Sequence, residues 1–209
     1  MLAFYTAVPM TLRSDHGADT APSVSRDYER RLARQVDPGA RTMTLAALAL
    51  LERMVRGAGF GSRSLAVLEY PEGGAPYWPE GPAFSLSHTE GLVACAIAAQ
   101  PDARIGIDVE RVRPFDRRSL RCVRALAGRL TEVDDPVSSL AAWTQCEAAL
   151  KAAGASMRRI DELRLDPDGR QAGLGARSFS VRPLMLPDGY VGSLAAETAT
   201  IELESVVAD

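Results

Sequence analysis

The first side chains that could do chemistry are two carboxylates in a short apolar segment, residues 105–110. Side chains alternate between the two faces of a β-strand, which would put Asp108 and Glu110 on one face, about 7 Å apart along the strand. Ile107 and Val109 would fill the opposite face. Neighbouring carboxylates repel each other, and a hard cation, Mg²⁺ or Ca²⁺, removes that repulsion. The pair therefore indicates a metal site, although a solvated strand face would have the same pattern.

A second group lies on a predicted helix over residues 137–153. Trp143, Glu147 and Lys151 are spaced by four residues and so share one helix face. Trp143 would anchor the helix, Glu147 could bind a metal or accept a proton, and Lys151 could meet a phosphate one turn further on. A surface Glu–Lys pair is the structural alternative. Lys151 is the only lysine among 24 basic residues, and a compact ammonium is not interchangeable with a planar guanidinium, which favours a specific role.

A third group, residues 84–91, places hydroxyl side chains and a histidine near the end of a predicted strand. Ser85 and Ser87 would share one face, opposite Phe84 and Leu86, with His88 at the strand end. Hydroxyl and imidazole groups are suitable hydrogen-bond donors to a phosphate. A Ser–His nucleophile pair is less consistent with the pattern, because adjacent strand residues point apart and no G-x-S-x-G elbow is present. A histidine that caps a hairpin is the structural alternative.

The three groups follow one another in an order that resembles the motifs of the 4′-phosphopantetheinyl transferases of the surfactin-synthetase-activating type. That family carries F-N-x-S-H-S, then G-x-D-x-E, then W-x-x-K-E-A-x-x-K. The similarity covers roughly residues 40–200. The matching residues are Phe84, Ser87, His88, Gly106, Asp108, Glu110, Trp143, Glu147, Ala148 and Lys151, and Arg41 fits a family arginine near the nucleotide.

This resemblance implies an enzyme that transfers 4′-phosphopantetheine from coenzyme A to a serine of an apo acyl or peptidyl carrier protein. Adenosine 3′,5′-bisphosphate would be released. Asp108, Glu110 and Glu147 would hold Mg²⁺ against the pyrophosphate of coenzyme A. Carriers of fatty-acid, polyketide and nonribosomal peptide synthesis are all compatible with the resemblance.

The resemblance also implies which residues contact coenzyme A and which act in catalysis. Arg41, Ser87, His88 and Lys151 would bind coenzyme A, with His88 and Arg41 at its 3′-phosphate. Lys151 would neutralise the departing pyrophosphate charge, and Glu147 would take the proton of the carrier serine, directly or through water. The catalytic residues would thus be Glu147, Lys151 and Asp108.

Two lysines of the family pattern are missing, since Ala75 and Cys146 stand in their places. Their loss should weaken coenzyme A binding, unless arginines at positions 26, 30, 31 or 34 compensate. A non-catalytic member of the fold that binds coenzyme A or a carrier protein is therefore one alternative. An unrelated magnesium-dependent phosphate enzyme is another.

The composition is that of a globular protein, with 46% hydrophobic and 24% charged residues. The net charge of −3 does not point to nucleic acid, and we expect none as a partner. Three cysteines and no export signal predict a cytoplasmic protein. The sequence has no stretch of about 20 apolar residues, so we predict no membrane span. We expect a monomer.

The order of predicted elements favours an α+β protein. The family fold implied by the resemblance is a pseudo-dimer of two similar α/β halves in one chain, which we place at residues 1–103 and 104–209, the second half carrying the metal site. We predict a turn at 37–39, helices at 26–35, 41–56, 116–128 and 137–153, and strands at 1–8, 64–69, 83–86, 92–99, 104–110 and within 178–207.

Overall fold

The protein is described by a computed structural model that covers seven stretches of the chain. These are residues 2–9, 24–60, 65–70, 75–79, 81–113, 136–197 and 202–205. Along the chain, the strands and α-helices are β1 (Leu2–Pro9), α1 (Arg26–Arg34), α2 (Pro38–Gly57), β2 (Ala83–Thr89), β3 (Leu92–Ala98), β4 (Ile105–Arg111), α3 (Pro136–Ala153), β5 (Leu163–Leu165), β6 (Gln171–Leu174), β7 (Arg177–Pro183), β8 (Tyr190–Ala196) and β9 (Glu202–Ser205).

The strands form two sheets, and with the helices they confirm the predicted α+β class. The first sheet has the order β2-β3-β1-β9, and the second has the order β4-β8-β7-β6-β5. Among the described strands all the pairings are antiparallel except that of β1 with β9, which is parallel. The last strand therefore joins the sheet that the first strand belongs to. The division at residue 103 stays a prediction.

The two sheets are stacked between two helices, which gives four layers with three packed interfaces. One face of the first sheet packs against α2, through Val93, Cys95 and Ile97. Its other face packs against the second sheet, where alanines of β3 meet Ile107 and Val109 of β4. The far face of the second sheet, with Phe179, Val181 and Ala195, packs against Cys146, Ala148 and Ala149 of α3.

The start of α2 corrects the predicted turn at residues 37–39. The Asp37 side chain accepts a 2.8 Å hydrogen bond from the Gly39 N–H and caps the helix, and Pro38 occupies its first turn. Proline suits this position because its fixed φ is helical and the N–H that it lacks would have no partner there. The residues that suggested a turn therefore begin the helix.

The predicted strand at 64–69 is wrong. Residues Leu65–Val67 form a 3₁₀ turn, and within the described residues 65–70 the extended pairing is one bridge between Glu69 and Tyr77, while residue 64 lies outside the described part. Leu65 and Leu68 are both buried against α2, so their spacing follows a helical turn and not a strand. The predicted helix at 116–128 lies outside the described residues. No helix in the described stretches is long and apolar enough to cross a membrane.

Candidate active site

Strand β4 and helix α3 are in direct backbone contact at Gly106. A Cβ atom at this position would overlap the carbonyl oxygen of Ala148 and lie 2.5 Å from the nitrogen of Ala152. Only a residue without a side chain allows this approach. The contact brings Lys151 of α3 beside the carboxylate that follows two residues after Gly106 on β4.

Lys151 and Asp108 form the centre of the site. The Lys151 ammonium donates to Asp108 Oδ1 at 2.7 Å and to the carbonyl of Ile107 at 3.0 Å. The side chain of Asp108 is only 5% exposed, whereas that of Lys151 is 32% exposed. A paired cation is what makes so deeply buried a carboxylate tolerable. Lys151 also lies 3.3 Å from the hydroxyl of Ser87, so all three sequence motifs meet at this point.

The second carboxylate oxygen of Asp108, Oδ2, is buried and has no hydrogen-bond partner among the described residues. A buried acceptor without a partner carries a large desolvation cost, and such exceptions call for an explanation such as an ion. Within the described part of the chain, however, no three Asp, Glu, His or Cys side chains are already gathered to hold a metal. The carboxylate donors thus fit a hard cation in their chemistry, but they are not assembled around one.

Glu147 lies on the helix face that the spacing predicted, one turn before Lys151. Burial and the nearby negative charge of Asp108 raise its pKa to about 7, while the Lys151 ammonium lowers it. The indole N–H of Trp143 donates a hydrogen bond to Glu147 and also favours the ionised form. A carboxylate with a pKa of about 7 is suited to proton transfer at neutral pH.

Glu110 is the outermost of the three predicted metal ligands. Burial and repulsion from Asp108 raise its pKa, while Arg113, with its guanidinium 4.0 Å from the carboxylate, acts in the opposite direction. The Thr89 hydroxyl donates to Glu110 Oε2 over a long 3.4 Å. The negative charge of Asp108 therefore helps to raise the pKa of both Glu110 and Glu147.

Three hydroxyls of β2 connect this strand to β4. Each accepts a hydrogen bond from a backbone N–H of β4 that lies 22 positions later in the chain. The bonds run from Ile107 to Ser85 (3.1 Å), from Val109 to Ser87 (3.3 Å) and from Arg111 to Thr89 (3.2 Å). We call this set of three bonds the β2–β4 hydroxyl bridge. It joins the two sheets beside the carboxylates.

A cavity of about 280 Å³ opens next to Lys151, between α1, α2 and β2. Its wall includes three side chains that carry or can carry positive charge, Arg31, His88 and Lys151, together with aromatic rings and Ser85. A smaller cavity of about 170 Å³ shares Lys151 and Phe84 with it and extends towards Arg104. Space lined by cations and aromatic rings is suited to an anionic ligand with a flat ring.

His88 lies on the wall of this cavity and is tied to α2. Its Nε2 lies 3.3 Å from the Thr44 hydroxyl, which itself donates to the carbonyl of Ala40, so Nε2 takes the donor role. Burial lowers the pKa of His88, and the Lys151 ammonium lowers it further. The imidazole is therefore neutral at pH 7 unless an anion is bound.

Arg31 is a cavity residue that the sequence left open among four arginines. Its guanidinium stacks on the Tyr70 ring, 4.2 Å from the ring centre, which fixes its direction. Of the four arginines, all of them described, it is the one on the cavity wall. The pairing of an arginine on α1 with a distant tyrosine could not be read from local spacing.

The remaining predicted residues differ in whether they reach the cavity wall. Arg41 lies in the first turn of α2 with an exposed side chain, and it is not on the wall of either cavity. Ser87 is buried and faces β4, whereas its neighbour Ser85 lines the larger cavity. Ala75 is on that wall, and Cys146 is buried in the core, where burial raises its pKa to about 12.

Comparison with known proteins adds no identification. No protein-family model matches the sequence, and no significantly similar curated protein was found.

Proposed function

We propose that this chain is a magnesium-dependent 4′-phosphopantetheinyl transferase, which moves 4′-phosphopantetheine from coenzyme A to a serine of an apo carrier protein. The observation that supports it most is the 2.7 Å contact between Asp108 and Lys151, beside Ser87. These residues come from three motifs up to 64 positions apart, and their meeting was expected only from the family resemblance. The finer fold, a pseudo-dimer with coenzyme A between its halves, belongs to the same proposal.

Asp108, Glu110 and Glu147 would hold Mg²⁺. The unpartnered Oδ2 of Asp108 supports this, as do the raised pKa values of the two glutamates, since both effects are relieved by a cation. When bound, the metal would neutralise charge on the pyrophosphate oxygens. The ammonium of Lys151 would then be free to contact the phosphate instead of Asp108.

The nucleotide part of coenzyme A would occupy the cavity beside Lys151. Arg31 and His88 would contact phosphate there, and the aromatic residues would pack against the adenine. Arg31 supplies a cation in a region where the family lysine is replaced by Ala75. We propose that it compensates for that loss. Arg41, which is exposed, would need to turn towards the cavity to contribute.

The reaction would break the bond between the bridging oxygen of the pyrophosphate and the phosphorus atom that carries pantetheine. The oxygen of the carrier serine forms the new bond to that phosphorus, its proton passes to Glu147, and adenosine 3′,5′-bisphosphate leaves with the electron pair of the broken bond. Lys151 would stabilise the negative charge on the leaving group. A fixed cation next to a developing charge is typically worth several kcal/mol in a site shielded from water.

The direct test is mass spectrometry of an apo acyl or peptidyl carrier protein after incubation with coenzyme A, Mg²⁺ and this chain. We expect the carrier mass to increase by one phosphopantetheine group, and the increase to need both Mg²⁺ and the carrier serine. A panel of fatty-acid, polyketide and peptide synthetase carriers makes a negative result meaningful. If no carrier is modified, the proposed activity is wrong.

A second function is favoured by the two missing lysines and by carboxylates that are not assembled around a metal. In this case the chain would bind coenzyme A or a carrier protein without transferring anything. Calorimetry with coenzyme A separates the two proposals. Binding of coenzyme A with no modification of any carrier would favour this second function.

A further inference from the structure

We propose that Ser87 is a positioning residue that orients Asp108 as a metal ligand, and that it is not a contact of the substrate. The inference rests on the proposed metal site, but it assigns to Ser87 a different role from the one that the family resemblance implies. Ser87 is not on the wall of either cavity, and its residue surface is only 7% exposed.

The Ser87 hydroxyl is saturated by neighbours of the site. It donates to Asp108 Oδ1 at 2.9 Å, and it accepts from the Val109 N–H at 3.3 Å and from the Lys151 ammonium at 3.3 Å. A serine hydroxyl offers one donor and two acceptor positions, and all three are used here. Its only O–H group is donated to Asp108, so none is left to donate to a phosphate.

The contacts of the Asp108 carboxylate determine which of its oxygens is available to a cation. Oδ1 receives the hydroxyl of Ser87 and the ammonium of Lys151, while Oδ2 is buried and no described residue bonds to it. Because Ser87 also holds the N–H of the next residue, the backbone and the carboxylate are fixed together. Groups that hold a ligand in this way typically contribute about 10- to 100-fold to metal affinity.

The β2–β4 hydroxyl bridge contains its own control. Ser85 is buried to nearly the same extent as Ser87, 8% against 7% exposed, and accepts the Ile107 N–H in the same manner. No hydrogen bond from Ser85 to a carboxylate is present among the described contacts. Ser85→Ala should therefore remove a bridge of the same kind without loosening a metal ligand.

The test measures Mg²⁺ affinity by isothermal titration calorimetry and Mn²⁺ affinity by electron paramagnetic resonance, in the absence of coenzyme A. We expect wild type to bind both ions, Ser85→Ala to bind within about twofold of wild type, and Ser87→Ala to bind about 10- to 100-fold more weakly. Ser87→Cys, which keeps the shape but is a poor hydrogen-bond donor, should also bind more weakly. It serves as the informative variant if Ser87→Ala does not fold. Urea unfolding in EDTA checks that both alanine variants are folded, and Ser87→Ala should lose more stability than Ser85→Ala, because Ser87 also bonds to Asp108 and Lys151.

Failures of the two proposals can be told apart. If wild type binds Mg²⁺ and Ser87→Ala or Ser87→Cys binds it as Ser85→Ala does, the positioning role is wrong while the metal site stands. If wild type binds neither ion, the metal site of the proposed function is wrong, and the positioning role fails with it.

Discussion

The ammonium group of Lys151 is in contact with three oxygen atoms. Its ammonium reaches Asp108 Oδ1, the carbonyl of Ile107 and the hydroxyl of Ser87 within 3.3 Å. A compact ammonium with three rotatable donors can satisfy partners in different directions, whereas a guanidinium is a flat fork that cannot. This accounts for a lysine here in a chain that uses arginine at its 23 other Lys or Arg positions.

Lys151→Arg should therefore lose activity although it keeps the positive charge. We expect the rate of the proposed phosphopantetheine transfer to fall by about 100- to 1000-fold, the range for removal of one oriented donor from an active site. The exposed Arg164→Lys is the control for the change of residue type and should keep the wild-type rate. Normal transfer by Lys151→Arg would show that the shape of the cation does not matter.

The raised pKa of Glu147 should make the stability of the folded protein depend on pH. The folded protein holds the proton of this carboxyl more tightly than the unfolded chain, so ionising it costs stability as pH rises from about 5 through its pKa of about 7. In EDTA, Glu147→Gln should be more stable than wild type at pH 8, and the difference should vanish near pH 5. Thermal unfolding across this range measures it.

Glu162 provides a control of opposite sign. It is exposed, and its hydrogen bond to Arg159 lowers its pKa. Glu162→Gln should show a slight loss of stability at pH 8 and no gain. A pH-independent difference between Glu147→Gln and wild type would contradict the raised pKa.

The residue types of the site could be predicted from sequence, because charge and spacing along one strand or helix are local properties. Asp108 and Glu110 share a strand, and Glu147 and Lys151 share a helix face. The role of Arg31 could not be predicted, since it depends on how α1 packs beside Tyr70 and β2. The orientation of Ser87 towards β4 and away from the cavity depends in the same way on the packing of two sheets.

At the scale of elements, the site depends on how closely α3 approaches β4. Gly106 permits that approach, and the nearest atoms are backbone atoms of the helix, which cannot turn away as a flexible side chain can. The glycine of the G-x-D-x-E motif therefore has a packing role that explains its place two residues before Asp108.

Gly106→Ala should separate α3 from β4. We expect a loss of about 1–3 kcal/mol or more in the free energy of unfolding, together with weaker Mg²⁺ binding, because Lys151 and Glu147 would move relative to Asp108. Urea titration and calorimetry measure the two effects. Gly57→Ala is the control, since a Cβ there would meet no atom within 4 Å. A Gly106→Ala protein of wild-type stability would mean that the two elements are not in close contact.

Predictions of elements were right where one residue pattern extended over the whole element. Strands β2 and β4 alternate apolar and polar residues over most of their length, and β3 is a continuous apolar run. Helix α3 is rich in alanine, a strong helix former. The segment 64–69 is too short for its apolar residues to distinguish a strand from a turn of 3₁₀ helix, and burial against α2 selected the turn. Strands β5 and β6 have only three and four residues and were not predicted.

At the scale of the whole molecule, the two sheets share one core between them. Side chains of β3 pack with those of β4 and β8, so neither sheet buries that face without the other. The parallel pairing of β9 with β1 also ties the end of the described chain to its beginning. We expect the two sheets to unfold as one cooperative unit.

The two tryptophans of the chain can test this cooperativity. Trp78 is buried in the core between the first sheet and α2, and Trp143 is on α3. In the single-tryptophan variants Trp143→Phe and Trp78→Phe, the urea transition seen by fluorescence should coincide with that seen by circular dichroism of the same variant. Fluorescence and circular dichroism transitions that separate would mean that the two sheets unfold independently.

The β2–β4 hydroxyl bridge has a consequence for solubility. β2 and β4 are outermost among the described strands of their sheets, and an outermost strand with free N–H groups is a template on which another chain can add. The three hydroxyls occupy N–H groups of β4 that a foreign strand would use, and Lys151 occupies the carbonyl of Ile107. The contacts that hold the candidate site together thus also disfavour the addition of another chain to the exposed edge of β4.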